Sequence, residues 1–586
     1  METARAVVVM VFASLVLLVS CGPRPVVPSP ATASESVAGS YYYFDLDDED
    51  TSDGVEISLS AGSGTRNIFL LFTNPGTQTV SAPSATLLNA VESRSSQPQL
   101  PQSRSPLAPA TGGPVVRDAV IPREWEPVLG AGARGLTVEP PSLNSAPPGP
   151  GSDTIGETRT FYGINYDDTD PDPDENAPVV ATLRAVEGVP DDPSEPSLSI
   201  YVEDSEWEDD PEGIVNGAMV SALQEQFLDL TGTNDDIYEW VSALYGAPWS
   251  GGLSASLTEF NNNVTILVHD IETSTTGDGP GGIVGYFWSK DNFLNSALAP
   301  GQPTSNERIM FYLDSETLAA RDGFSWEITD YWPEIALSTL AHEFQHMIHF
   351  HQRDVLSGTS TPVWMNELMS LVTEDVVADK LGIDGPRGVD PSEETVAGDA
   401  GVTGTTAGRL PLYNYWNDIS LSGWGSTGDV LDSYAISYAF GAYLARNYGG
   451  AGFLKALMDS GSADPYQMIV DATGRTIEDH MWRWGVATLR SDTALSPPFR
   501  LNPGTWVSSS AGGTSFNLGS INHYNYRYTD GLGNELNGPW IYGSLDGLQT
   551  MPAASKLIYY AGTVADGQVD ISVSVPSGVD MTVVVE

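Results

Sequence analysis

Two histidines four residues apart inside an unbroken helical pattern constrain this chain more than any other feature. Between Ile335 and Ile348 the apolar residues Leu337, Leu340, Phe344 and Ile348 recur along one side, and Pro333 suits a first helical turn. His342 and His346 then project from one face about one turn apart, the separation at which two imidazoles share a tetrahedral zinc. Glu343 stands three residues before His346, placed to hold a water at the metal without joining its ligands. A catalytic zinc keeps three protein ligands and one open position, so a third donor must come from another element. Trp364-Met365-Asn366-Glu367 supplies Glu367 at the start of a second helical pattern, 363–381.

A rival ligand scheme, used by metzincins, breaks the helix at a Gly after the second His so that a third His returns to the metal. Here the stretch is Met347-Ile348-His349-Phe350-His351-Gln352, with no Gly and with Gln352 where that His would stand. His349 shares a face with His342, but seven helical residues separate the two by about 10 Å. His349 and His351 therefore read as bystanders at the rim of the cleft.

These residues resemble the gluzincin metallopeptidases, with His342-Glu343-Phe344-Gln345-His346 on one helix and Asn366-Glu367 to Ser370 on the next. The strand Ser305 to Asp314, the phrase Thr339 to Ile348, Trp364 to Glu367 and the helix Tyr434 to Tyr448 look like the hyicolysin-type neutral zinc peptidases, a likeness that spans roughly 264–489. The resemblance implies Zn2+ on His342, His346 and Glu367, and a protein or peptide substrate. Thermolysin-like members carry an Asp four residues after the third ligand, where this chain has Leu371. Glu374, seven residues on and back on the same face, is the candidate to orient His342 instead. Glu343 is the expected general base. Tyr434 and Tyr438, with His480 behind them, are candidates to steady the oxyanion, Tyr438 first. The strand ending at Leu313 is expected to line the cleft and pair with an extended substrate.

Strands come first and helices second around this motif, which gives an α+β body rather than an alternating parallel sheet. Strand patterns at 160–164, 179–186, 198–202, 264–269 and 308–313 lead into helices at 334–351, 363–381, 433–447 and 477–489, with one earlier helix at 214–228. The expected organisation is a leader at 1–21, a flexible stalk at 22–40 and a small β-rich domain at 41–92. A Pro/Ser/Gly-rich linker or pro-like segment follows at 93–155, then a zincin-like domain at 156–500 made of a mixed sheet, the active-site helix and a helical subdomain. A C-terminal β-sandwich closes the chain at 501–586.

The leader has an apolar run, Val7 to Val19, after Arg5, and it is too short to span a membrane stably. It ends Leu18-Val19-Ser20-Cys21-Gly22, which resembles the lipobox of bacterial lipoproteins, and the single Cys of the chain stands where a lipobox needs it. This implies acylation of Cys21 and a place in the bacterial envelope, periplasmic or surface-exposed, with membrane contact only through the anchor. Cys21 is then lost as a nucleophile, and no Gly-x-Ser-x-Gly elbow is found.

Composition narrows the partners. With 77 acidic against 25 basic side chains, a formal charge of -52, the chain lacks the basic surface that nucleic-acid binding needs. Alternate carboxylates from Asp167 to Glu175 resemble a calcium loop without the Gly of its sharp turn, so they read first as a solvated acidic loop, with Ca2+ as the second cation to consider. Two other functions fit the same motif: a non-enzymatic surface lipoprotein that retains a zinc site, and a zinc amidase acting on envelope peptides.

Overall fold

Consecutive β-branched and aromatic residues build the sheet that carries the site. In the computed structural model seven strands lie in the order Glu272–Thr273, Thr158–Asp167, Asp174–Glu187, Ser197–Glu203, Asn263–His269, Met310–Asp314, Gly285–Tyr286. Ser197–Glu203, Asn263–His269 and Met310–Asp314 run parallel, and the short Gly285–Tyr286 closes the row antiparallel to Met310–Asp314. The middle strands are buried on both faces, as their unbroken apolar runs require. The structure describes residues 33–91 apart from 34, 38–39 and 47–53, the pair 116–117, and 153–586 apart from 168–173, 191, 193, 251–253, 259–261, 274–281, 322, 384–407, 428–429, 530–533 and 566. The leader with Cys21, most of the stalk and linker, and the middle of the acidic 167–175 segment lie outside them. No helix among the described residues is long and apolar enough to cross a membrane.

Ten helices are described: α1 Gly217–Phe227, α2 Ile237–Tyr245, α3 Ser315–Ala319, α4 Tyr331–His349, α5 Val363–Leu381, α6 Arg409–Tyr415, α7 Val430–Asn447, α8 Ala451–Asp459, α9 Pro465–Thr473 and α10 Ile477–Leu489. One apolar core joins the sheet to α1, α2, α4, α5 and α7, so the molecule is α+β. α4 does not stop at His349. It continues as π-helix over Phe350–Ser357 and ends where Gly358 turns left-handed at φ 62°. α5 packs along α4, and α7 closes on α5 at Gly441, where a Cβ would stand 2.6 Å from Val372 Cγ2 and 2.8 Å from Leu368 Cγ.

Two of the expected units differ. The segments 41–92 and 501–586 do not form separate β domains, because their strands interleave in one antiparallel sandwich. One sheet runs Glu35–Val37, Tyr41–Phe44, Asp580–Val585, Arg66–Asn74, Ser555–Val564, and the other Val55–Gly62, Gly567–Ser574, Ser84–Leu87. The reason lies in Arg66–Asn74: seven of its nine residues are buried, so it needs a neighbour on each edge, and both come from the far end of the chain. The hairpin Val507–Ala511 with Thr514–Leu518 lies outside the sandwich, and its Phe516 and Leu518 belong to the core of the main body. The sandwich docks on α10, where Tyr43 stacks on Trp482 at 5.1 Å between ring centroids.

The second difference concerns the strand ending at Leu313. It is not a free edge, because Asn263–His269 and Gly285–Tyr286 take its two sides. Gly285–Tyr286 is the strand that ends this row of the sheet beside α4.

Candidate metal centre

α4 and α5 meet so that three lone-pair atoms converge. His342 Nε2 and His346 Nε2 are 3.0 Å apart, Glu367 Oε2 is 3.2 Å from the first and Glu367 Oε1 3.5 Å from the second. One atom from each of the three residues lies within 4.8 Å of the other two. Ligands about 2.0–2.2 Å from a tetrahedral zinc stand roughly 3.3 Å from one another, so the donor set has the spacing of a zinc shell. Acceptors this close repel unless a cation lies among them, and Glu367 Oε2 is buried with no hydrogen-bond donor. Burial opposes the charge on Glu367, and a cation among the three donors would offset that opposition. His342 is fully buried while the His346 side chain is 12 % exposed, so the site opens to solvent on the His346 side.

The outer nitrogen of His342 fixes that ring's tautomer. His342 Nδ1 lies 2.9 Å from Glu374 Oε1, so Nδ1 carries the proton and Nε2 presents a lone pair to the centre. Glu374, the candidate orienting residue, is itself held by Ser338, which donates to Oε2 at 2.7 Å, and by Arg409, whose Nη2 donates to Oε1 at 2.8 Å. Ser370 lies one turn along α5 from Glu367. Its hydroxyl donates to Gln345 Oε1, and its oxygen stands 3.2 Å from His346 Nδ1 and 3.3 Å from Nε2. That oxygen is almost equidistant from the two ring nitrogens, so it packs on the His346 ring without fixing its tautomer.

Glu343 is 1 % exposed and packs toward the edge strand. A Cβ at Gly285 would stand 3.6 Å from Glu343 Cγ, and only 2.8 Å from both Thr339 Cγ2 and the Tyr312 carbonyl. Glycine lets the edge strand approach α4 this closely.

Other candidates are placed elsewhere. Tyr438 is not among the groups gathered at the trio: its hydroxyl donates to Asp375 Oδ2 at 3.2 Å in the α5–α7 interface, where Arg446 grips the same carboxylate at 2.7 and 3.1 Å. A buried ion pair claims a nearby hydroxyl, and helical spacing alone does not reveal that. Tyr434 stacks edge-on to Trp424, and His480 Nε2 pairs with Thr473 at 2.8 Å. His349 and His351 are not at a rim. Both are buried, with Nε2 2.8 Å from the Thr361 hydroxyl and 3.0 Å from that of Ser250, and burial pulls their pKa down to about 3 and about 4. Gly285 and Arg409 carry no signal in the sequence, since nothing in their spacing ties them to the His pair; Ser338 does, standing four residues before His342 on the same face of α4.

Similarity to known proteins places the chain in a family. The neutral metalloprotease ShpI of Staphylococcus hyicus is 28% identical to this chain over 195 residues, 32% of this chain and 36% of that protein, so the match spans about a third of the relative's length. The Peptidase M30 profile matches residues 175–586, which contain α4, α5 and every residue of the centre. That match covers well over half of the chain and bears out the likeness to hyicolysin-type peptidases, and the chain belongs to the Peptidase M30 family.

Proposed function

We propose that this protein is a zinc-dependent endopeptidase that hydrolyses peptide bonds without a covalent intermediate, with Glu343 as general base. The observation that carries the proposal is the convergence of His342, His346 and Glu367 with Glu343 buried beside them on the same helix. Zinc held there would polarise a carbonyl and make water a nucleophile near neutral pH. The chain's own residues do the rest. Glu374 holds the His342 imidazole in the tautomer that leaves Nε2 unprotonated, and Ser370 packs on the His346 ring. Glu343 takes the proton of the attacking water and returns it to the leaving amine. The strand Gly285–Tyr286, outermost in its row among the described residues, is where an extended substrate would add, next to Gly282–Ile283, which pairs with Val116–Arg117. The Cys21 leader supports an acyl anchor in the bacterial envelope, with the catalytic body reached by protein or peptide substrates from the aqueous side.

The test uses the purified chain: metal content by mass spectrometry, and cleavage of an unfolded protein with and without a zinc chelator. The expected result is about one zinc per chain and cleavage abolished by the chelator. Glu343→Gln is expected to keep its zinc and lose turnover by a factor on the order of 10³ or more. Turnover unchanged in Glu343→Gln would remove the assigned base, and a chain that takes up no zinc would remove the metal mechanism.

A further inference from the structure

We infer that Arg409 is a positioning residue for the metal centre: from the first residue of α6 it fixes the Glu374 carboxylate that sets the tautomer and direction of His342. This rests on the zinc assignment above and adds a residue to it.

The argument starts from buried charge. Four buried carboxylates lie on α4 and α5, namely Glu343, Glu367, Glu374 and Asp375, all of them 5 % exposed or less. Arg446 is engaged bidentately with Asp375. Arg409 is the cation that reaches Glu374, with Nη2 2.8 Å from Oε1, the same oxygen that stands 2.9 Å from His342 Nδ1. Ser338 holds the other oxygen at 2.7 Å. The carboxylate is therefore pinned at both ends, and its two anchors come from α4 and α6 while it is carried by α5. A glutamate has three side-chain torsions, and without an anchor on Oε1 it is free to swing from the imidazole. The guanidinium also rests over the Tyr438 ring at 5.8 Å, which fixes its own direction.

The sign of the effect separates this inference from simple electrostatics. Removing a positive charge near a divalent cation should by itself tighten zinc binding. Loss of positioning should loosen it, by about tenfold or more as for other partners of a metal-bound imidazole. The experiment measures the zinc dissociation constant of the full chain by competition with a chromophoric chelator, for wild type, Arg409→Met, Arg409→Lys and Ser338→Ala, with near-ultraviolet circular dichroism of each. Arg409→Met is expected to bind zinc about tenfold more weakly with the native spectrum, Arg409→Lys to recover most of that loss, and Ser338→Ala to weaken binding in the same direction without any change of charge. Zinc bound by Arg409→Met as tightly as by wild type, or more tightly, overturns the inference and leaves the zinc assignment standing. Should Arg409→Met not fold, Arg409→Gln decides, and zinc bound by it as tightly as by wild type overturns the inference. A wild-type chain that binds no zinc overturns both together.

Discussion

The most demanding test of the site's geometry is a single methyl group at Gly285. Built on the present backbone, that methyl would lie 2.8 Å from Thr339 Cγ2 and 2.8 Å from the Tyr312 carbonyl oxygen. Carbon atoms in contact rest at about 3.5–4.0 Å, so the gap between edge strand and α4 must open by about 0.7 Å or more. Thr339 is one turn before Glu343, and Glu343 Cγ is only 3.6 Å from the new atom. The displacement therefore falls on the general base, on the strand that would receive substrate, or on both. Misplacement by 1 Å costs up to about 10²-fold in rate, so Gly285→Ala should lower kcat/KM roughly tenfold to a hundredfold. Zinc content should stay unchanged, because His342, His346 and Glu367 lie on α4 and α5 and not on the edge strand. Thr339→Ser removes one of the two contacts, and the double variant Gly285→Ala/Thr339→Ser should recover part of the loss. The assay is steady-state cleavage of a quenched fluorescent peptide, with zinc measured on the same samples. Activity of Gly285→Ala within about twofold of wild type would refute the idea that close approach of this strand positions Glu343.

Two further predictions concern buried charge. Asp375→Asn leaves Arg446 charged and enclosed without its carboxylate, and should destabilise the fold by about 3–5 kcal/mol, a fall in Tm of about 3 °C by scanning calorimetry for a chain of this length; a change under about 1 °C would show the pair to be dispensable. Asp314 caps α3 through Thr317, and burial raises its carboxyl from the ordinary 3.8 to about 7. Because the folded chain binds this proton more tightly than the unfolded one, the group weakens the fold as pH rises from 4 to 7, by about 4 kcal/mol at the upper end. Asp314→Asn keeps the cap and should flatten that part of the stability profile, as read from urea midpoints at each pH, and parallel profiles would contradict the assignment.

What the sequence revealed was set by local rules, and what it hid was set by tertiary contacts. The His342–His346 spacing is a property of one helix, so it was legible from periodicity alone, as were the strands of the central sheet. Glu367 and Glu374 were legible because they repeat at helical spacing on α5. Arg409 was not, since it comes from a separate helix after a long intervening stretch, and no pattern within α6 points at Glu374. The partner of the Tyr438 hydroxyl was hidden for the same reason: Asp375 lies 63 positions away in the chain, and burial decides which groups pair. Helices α2, α8 and α9 are only nine residues each, too short for a periodic pattern to stand out from the loops around them.

The sandwich gives the N-terminal part of the chain a different meaning from that suggested by its position. A pro-segment that is discarded should be able to leave without exposing the core of what remains. Tyr41–Phe44 and Arg66–Asn74 do not satisfy that condition. Asp580–Val585 lies between them, all six of its residues are buried, and withdrawing Arg66–Asn74 would leave it and Ser555–Val564 facing an empty row. The same strands carry Tyr41, Phe69 and Leu71 onto Trp482 and Val486 of α10, so the loss would also strip the outer face of a helix in the main body. At the other end of the linker Asp153 is fixed as firmly, accepting from Arg308 at 2.6 and 2.9 Å and from Ser199 at 2.7 Å on the central sheet. Strands 41–87 are thus structural members of the mature fold. They also join whatever precedes them in the chain to the catalytic body through a hydrogen-bonded sheet, and an acyl group on Cys21 would hold that body through this sandwich as well as through the linker.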